Sequence, residues 1–334
     1  LRATIKDVSR EAGVSIKTVS RVLNRERYVG AETRARVEAA MASLNFRPSL
    51  AARSLAGRRS FQVALVCDNP SPNYVFEMQA GVRDRCEADG VRMMAQPYDR
   101  RSGKLVEQIE ALVDTTALDG LVLTPPVCDD AEVLAALAER GIRFARVSPG
   151  HVEAAAPSVF INNVRAAAEI TAHLIALGHR RIAHIAGPPE FATSAQRLTG
   201  YRAALEAAGS FDPALVIQGR FDFASGAEAA TSLLDSDAPP TAIFAASDEM
   251  AAGALATAHR RGIAVPGALS IAGFGDDALA GYVWPPLTTV RQPVHAFGWN
   301  AADLLLSNEA DAPVEHRELA YDVITRDSTG PVSR

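Results

Sequence analysis

Apolar positions follow two different rhythms along the chain, and the rhythm changes near residue 60. Over residues 4–12 (TIKDVSREA), Ile5, Val8 and Ala12 recur at helical spacing. Gly13 then supplies a turn, because it tolerates a left-handed backbone, and Ser15 is a suitable N-cap for a second helix. In that helix Val19, Val22 and Leu23 share one face, which leaves Ile16, Lys17, Ser20, Arg21 and Asn24 largely for the others. A third helix over roughly 31–45 puts Val37, Met41 and Leu44 on one stripe and closes a three-helix core. Two short helices joined by a tight Gly-containing turn predict a helix-turn-helix.

Beyond residue 60 the pattern alternates. Strand-length apolar runs occur at 61–67 (FQVALVC), 119–124 (DGLVLT), 143–148 (RFARVS), 180–187 (RRIAHIAG), 241–247 (TAIFAAS) and 269–275 (LSIAGFG). Amphipathic helical stretches lie between them, among them VFEMQAGVRDRCEADG, DAEVLAALAERG, AAAEITAHLIALG, SAQRLTGYRAALEAAG and DEMAAGALATAHRRG. Alternating strands and helices predict parallel sheets covered on both faces. The units are too many for one simple sheet, so two lobes with a cleft between them are expected. Ligands of such sheets bind beyond the carboxyl ends of the strands, which makes the residues just after each strand the candidates for chemistry.

Charge sharpens this division. The net charge is −5, but residues 1–60 hold 13 Lys and Arg against 5 Asp and Glu, and the remainder 21 against 34. A basic head on an acidic body is the footprint of a polyanion-binding module joined to something else. A solvated basic face is the alternative. In a major groove, Ile16 and Lys17 would face base edges and Arg21 a base or phosphate, while Ser15, Thr18 and Ser20 would bond phosphate oxygens. A plain three-helix bundle with a charged outside has the same pattern. The next segment, RPSLAARSLAGRR (47–59), starts a helix with Pro48 and ends it at Gly57. At about two and a half turns it is too short to stand alone in water, so it needs a partner.

TIKDVSREAGVSIKTVSRVLN followed by ETRARVEAAMASLNFRPSLAARSLAGRRS resembles the head and hinge of the LacI/GalR family of transcription regulators. LGHRRIAHIAGPP, RLTGYRAAL, PPTAIFAASDEMAAGAL, RGIAVPGALSIAGFGDD and WPPLTTVRQP are similar, in order and spacing, to that family's effector-binding core. The resemblance covers nearly the whole chain. It implies an all-α three-helix DNA-binding head over 1–46 and a hinge helix or linker over 47–59. An α/β two-lobed core with parallel sheets, like the type I periplasmic binding proteins, is implied over 60–334. The first lobe is expected at about 60–160 and 291–321 and the second at about 161–290 and 322–330. In the family the hinge helices of a dimer order on operator DNA and wedge a leucine into the minor groove. Leu55, with Ala52 beside it, is the matching residue here. Thr4, Asn24 and Tyr28 complete the candidate DNA contacts.

The same resemblance proposes a pocket. Asp68 and Asn69 follow the first strand, Tyr74 and Met78 open the next helix, and Ser148 follows RFARV. Arg197 stands where the family places an arginine that holds ligand hydroxyls or carboxylates, a task that suits a guanidinium fork. Phe221 matches an aromatic that stacks on the ligand. Ile161, Ser247, Asp248, Asp276 and Gln292 are the remaining candidates. Each has a plainer reading as a cap or a satisfied core group. Asp248 would cap a helix over 249–261, and Asp129 and Asp130 read as caps first. Two positions depart from the family pattern, because Ser148 and Gly275 stand where many members carry aspartate. That leaves Arg197 less neutralised and admits a sugar acid beside a neutral sugar.

The expected function is therefore a ligand-gated repressor acting as a homodimer on a near-palindromic operator. A solute-binding protein without a DNA role is the alternative; the basic head and the absence of an export signal in LRATIKDVSREAG weigh against it. No G-x-S-x-G, P-loop, H-E-x-x-H or strand-borne G-x-G-x-x-G motif occurs, so no catalytic residue and no cofactor is expected. The seven histidines are dispersed, and His179 in LGHRRI reads as structural. Cys67, Cys86 and Cys128 form no C-x-x-C pair, so no metal is expected and a reducing cytoplasm fits. No run of 18 apolar residues suggests a membrane span. The C-terminal ITRDSTGPVSR has no leucine heptad to tether two dimers.

Overall fold

The computed structural model describes residues 3–23, 28–46, 60–98, 104–152, 156–307 and 313–332. The chain divides into two compact units, Leu1–Gln62 with Thr116–Asp119 and Val63–Thr115 with Gly120–Arg334.

In the first unit, α1 (Ile5–Ala12), α2 (Ile16–Leu23) and α3 (Ala31–Ser43) enclose one small core. Thr4 starts α1 by donating from its backbone N–H and its Oγ1 to Asp7 Oδ2, at 2.9 and 2.7 Å. These bonds hold the Asp7 carboxyl below the usual carboxylate range. Gly13 ends the helix with φ 62°, and the N–H of Val14 returns to Ser9 O at 3.1 Å. Ser15 Oγ accepts the Thr18 N–H at 3.1 Å and caps α2. Helices of eight residues are not stable in isolation. Burial of Val8, Val19, Val22 and Val37 together, each contributing about 1.5–3 kcal/mol, is what holds them. Met41 and Leu44, expected on the α3 stripe, pack around this cluster half-buried, and Ala40 completes it.

The second unit alternates strand and helix. The chain runs through β1 (Gln62–Val66), α4 (Pro72–Ala88), β2 (Arg92–Gln96), α5 (Leu105–Thr115), β3 (Gly120–Leu123), α6 (Ala131–Glu139), β4 (Phe144–Val147) and β5 (Ser158–Phe160). It continues through α7 (Asn163–Ala176), β6 (Ile182–Ala186), α8 (Ala192–Ala207), β7 (Val216–Gln218), α9 (Phe223–Leu234), β8 (Ala242–Ala245), α10 (Asp248–Arg260), β9 (Ser270–Ala272) and α11 (Ala278–Tyr282). It closes with β10 (Thr289–Arg291), α12 (Val294–Ser307), β11 (His316–Glu318) and β12 (Asp322–Ile324).

Two sheets result. The first has the order β2-β1-β3-β4-β5-β11 and the second β7-β6-β8-β9. Their registered pairs are parallel, Val63 opposite Gly120 in the first and Ile182 opposite Ala242 in the second. β10 and β12 form an antiparallel pair as the chain passes between the lobes. β11 returns to the first sheet beside β5, and α12 packs on α4 and over β3 to β5. The helices cross closely because they cross on glycine. A Cβ at Gly81 of α4 would stand 2.0 Å from His295 O, and one at Gly298 of α12 would stand 2.4 Å from Met78 O.

Two cap assignments change. Ser247, not Asp248, caps α10, its Oγ accepting the Met250 N–H at 3.2 Å. Asp130 caps α6 through the N–H groups of Glu132 and Val133. Asp129 instead takes an ion pair from Arg146 at 2.6 Å and the Gly150 N–H. His179 is a structural node, its ring bonding Thr241 Oγ1, Ser270 Oγ and Gly330 O at 2.9–3.0 Å.

Candidate functional site

Both lobes contribute to a cavity of about 520 Å³ at the carboxyl ends of their strands. Caps and cavity walls coincide there, because each helix begins where the preceding strand ends. Ser71 caps α4, Ser247 caps α10 and Asp277 caps α11, and all three line the cavity. Of the sequence candidates, Asn69, Tyr74, Ser148 and Arg197 line it, as do Phe221, Ser247, Asp276 and Gln292. Three of these hold a left-handed backbone despite carrying a side chain: Ser148 at φ 46°, Phe221 at 60° and Asp276 at 57°. Backbone strain of this kind costs of order 1–3 kcal/mol and gathers at functional sites.

Four candidates stand elsewhere. Asp68 lines a larger neighbouring cleft of about 1300 Å³. Met78 is fully buried on α4, at the crossing with α12. Ile161 is buried and does not line the cavity. Asp248 is 1 % exposed and lies behind the wall. Its Oδ1 accepts from Thr289 Oγ1 at 2.6 Å and its Oδ2 from the Asp277 N–H at 3.2 Å. Burial, reinforced by Asp277 and Glu249, pushes its carboxyl up to about 7. Asp248 therefore positions the wall segment 273–277 from behind.

Arg197 is the cavity's main cation. It is 6 % exposed, with Nε donating to Asn163 Oδ1 at 3.1 Å and Nη1 to Ala246 O at 2.6 Å. Its guanidinium lies 3.8 Å from the centre of the Phe274 ring, a cation–π stack. It makes no ion pair with a carboxylate among the described residues, whereas buried Arg146 pairs with Asp129 and buried Arg85 with both Asp89 and Asp303. Desolvation pulls its pKa down to about 9, so it remains charged at neutral pH. Asp276 behaves oppositely. Arg291 and Arg326 each bind one of its carboxylate oxygens, which leaves it a brace for the wall.

Sequence reading missed Glu249, Asp277, Phe191 and Phe274, all of which line the cavity. Glu249 and Asp277 place two carboxylates on the cavity wall, where Ser148 and Gly275 offer none. The rule that ligands meet strand ends would have found Phe274 and Asp277, which follow β9. Glu249 carried no signal beyond that of an acidic first helical turn. Burial pushes the Cys67 and Cys86 thiols up to about 11 and raises that of Cys128 well above its ordinary value, so none is a ready nucleophile. No group of three metal-binding side chains occurs among the described residues.

On the head, Ile16, Lys17, Ser20 and Arg21 fall at the spacing of one α2 face. Lys17 and Arg21 are exposed, and so is Ile16 at 43 %. Tyr28 is 96 % exposed, and Thr4 and Ser15 are exposed beside their cap bonds. Thr18 and Ser20 are half-buried, with Thr18 Oγ1 2.9 Å from Ser15 Oγ. Asn24, Ala52, Leu55 and the expected hinge helix lie outside the described residues.

Comparison with known proteins gives this arrangement its place. Residues 4–49 match the family described as bacterial regulatory proteins, lacI family, and residues 171–329 match a periplasmic binding protein-like domain. The chain is 36 % identical over 301 residues to the HTH-type transcriptional regulator DegA of Bacillus subtilis, covering 89 % of each chain. The chain belongs to the lacI family of bacterial regulatory proteins. Other LacI-family relatives include the HTH-type transcriptional repressor PurR of Vibrio atlanticus, 32 % identical over 97 % of this chain and 98 % of that one. Among solved LacI-family structures, a lac repressor dimer bound to operator and the anti-inducer ONPF superposes with a TM-score of 0.79 at 28 % identity. It covers 99 % of this chain and 100 % of its own. A complex of the transcriptional regulator CelR with cellobiose gives 0.74 at 31 % identity, covering 98 % and 100 %. A LacI-family chain with this head and core is a DNA-binding transcriptional regulator. No helix among the described residues is long and apolar enough to cross a membrane.

Proposed function

We propose that this protein is a cytoplasmic repressor that binds a near-palindromic operator as a homodimer and is controlled by a small molecule in the cavity between its lobes. The observation that carries this is the union, in one chain, of a basic helix-turn-helix head with a 520 Å³ cavity lined from both lobes. It is a binding protein, not an enzyme.

On the DNA side, Ile16, Lys17 and Arg21 read base edges, while Thr4, Ser15, Thr18 and Ser20 hold phosphates with Tyr28 nearby. Asn24, Ala52 and Leu55 extend this contact, Leu55 as the minor-groove wedge. The dimer follows the lac repressor dimer on its operator. Tyr282 and Trp284, 83 % and 79 % exposed, offer the second copy an apolar surface.

In the cavity, a sugar or sugar acid fits the chemistry. The Arg197 fork holds ligand oxygens, Phe221 lies against a ring face, and Asn69, Ser148, Ser247 and Gln292 offer hydrogen bonds. Glu249 and Asp277 accept hydroxyls. The relative bound to cellobiose supports a carbohydrate, while the PurR name keeps purines worth testing. The ligand acts by a difference of affinities, because whichever lobe closure it prefers sets the spacing of the two heads.

The test has two arms. Thermal unfolding against neutral sugars, their acids, sugar phosphates and purines identifies the ligand class; at 100 times its Kd a ligand stabilises by about 2.7 kcal/mol. Selection of bound duplexes from a random pool identifies the operator. A stabilising ligand with no sequence-selective DNA binding would overturn the repressor reading in favour of a solute-binding protein.

A further inference from the structure

The expected hinge, residues 47–59, leads into Ser60, Phe61 and Gln62, and one distant residue holds all three. Asp119 Oδ1 accepts the Ser60 N–H at 2.7 Å and the Ser60 hydroxyl at 3.0 Å, while Oδ2 accepts the Phe61 N–H at 3.0 Å. Ser60 Oγ in turn accepts the Gln62 N–H at 3.2 Å. The main chain completes the clamp, with the Asp119 N–H donating to Gln62 O at 2.7 Å. Gln62 Nε2 adds a bond to Ala117 O at 3.4 Å. Bonds to an ionised carboxylate are stronger than those between neutral groups, and here both of its oxygens are engaged.

Three observations separate this joint from an ordinary strand start. Phe61 holds φ 57°, a left-handed backbone that a bulky side chain keeps only where its surroundings impose it. Residues Thr116–Asp119 group with Leu1–Gln62 in one compact unit, although they immediately precede β3. β1 and β3 are neighbours inside the first sheet, Val63 opposite Gly120, so the clamp continues directly into two paired strands. Ser60, Phe61 and Asp119 are only half-buried, so water would serve the same N–H groups. What the carboxylate adds is a fixed direction for the chain that enters the core.

We propose that Asp119 is a positioning residue that fixes where the hinge leaves the core, and thereby sets the half-site spacing that the two heads of a dimer accept. With the joint fixed, binding of one head holds the other close to its own half-site, at a high effective concentration. A loose joint spreads the second head over many positions. That lowers its concentration at the right spacing and raises it at wrong ones. The inference rests on the proposed two-headed grip and concerns only how that grip is set.

The experiment uses the full chain and an operator that the wild type selects from random duplexes. Fluorescence anisotropy follows binding to that operator, to derivatives with one or two base pairs added or removed between the half-sites, and to a single half-site. Asp119→Ala should bind the native spacing about tenfold more weakly and discriminate less among spacings, yet bind the single half-site as the wild type does. Asp119→Asn should fall between, because its amide oxygen keeps Ser60 while its nitrogen cannot accept from Phe61. Ser60→Ala removes only the hydroxyl bonds to Asp119 and Gln62, so it should fold and show the same trend more weakly, which keeps the test open where Asp119→Ala fails to fold. A residue that merely stabilises the fold would weaken the half-site and every spacing alike. That result, or a spacing preference unchanged in all three variants, would overturn the role of Asp119 and leave the dimer standing. A wild type indifferent to spacing would overturn both.

Discussion

Changing Asp248 to asparagine should alter how the stability of the core depends on pH. Asp248 is buried, bonded to Thr289 Oγ1 and to the Asp277 N–H, and its carboxyl is raised from 3.8 to about 7. A carboxyl raised on folding contributes stability that is fully present below its unfolded value and is lost as pH rises through the folded one. The relevant window is therefore from about pH 4 to just above 7. At 1.36 kcal/mol per unit the whole effect is about 4 kcal/mol, of which about 2 kcal/mol falls between pH 5.5 and 7.5. The asparagine of the Asp248→Asn variant keeps both bonds, its amide oxygen accepting from Asp277 and its nitrogen donating to the Thr289 hydroxyl, but it carries no proton to lose. Urea unfolding of both chains, followed by circular dichroism at pH 5.5, 6.5, 7.5 and 8.5, measures the difference. The wild-type core midpoint should fall by about 0.5–1 M relative to the variant over that range. Parallel midpoints at every pH would refute the assignment of a buried proton to Asp248.

Arg197→Lys should weaken binding of any compound that stabilises the wild type by about 10- to 100-fold in calorimetry, because an ammonium cannot bond Asn163, Ala246 O and ligand in one plane over Phe274. Gly81→Ala should lower core stability by about 3 kcal/mol or more in thermal unfolding, since its Cβ would meet the backbone oxygen of His295 at 2.0 Å. Lys17→Ala should weaken operator binding by about 1–3 kcal/mol and relax selectivity at one base position. A loss uniform across operator variants, measured by mobility shift, would assign Lys17 to phosphate instead.

How much of this was legible in the sequence depended on burial. β1, β3, β6 and β8 are buried along almost their whole length, so they read as continuous apolar runs. β2, β7 and β11 escaped because they are edges: Arg92–Gln96 is half-exposed, and HRE at 316–318 has no apolar residue at all. Only pairing to a neighbour makes such segments strands. The site divided similarly. Residues just after strands, such as Asn69, Ser148 and Ser247, were found by topology. Met78 was not separable from Tyr74, because residues four apart share a helix face and only the crossing of α12 buries one of them. Asp248 and Glu249 adjoin in sequence, and the structure puts the first, a candidate for the wall, behind it and the second, which the sequence did not single out, on it.

The backbone at Gly275 shows how tightly the cavity wall is built. Gly275 holds φ 144°, a backbone that side chains rarely adopt, and its Cβ would lie 3.1 Å from Asp248 Oδ2. Gly273 is tighter still, its Cβ meeting Asp248 Oδ1 at 2.1 Å. The wall is thus wrapped around the Asp248 carboxylate, and an aspartate at 275 would meet a second buried carboxyl in a strained backbone. Gly275→Asp, which supplies the aspartate that the family resemblance leads one to expect there, should lose about 2–4 kcal/mol of core stability from strain and like-charge contact. It should gain no affinity for neutral sugars, because the new side chain stands in a strained backbone against Asp248. Thermal unfolding and a sugar panel on the purified variant measure both. A variant that melts with the wild type would mean that the wall relaxes freely, and the argument that Asp248 fixes residues 273–277 would fail with it.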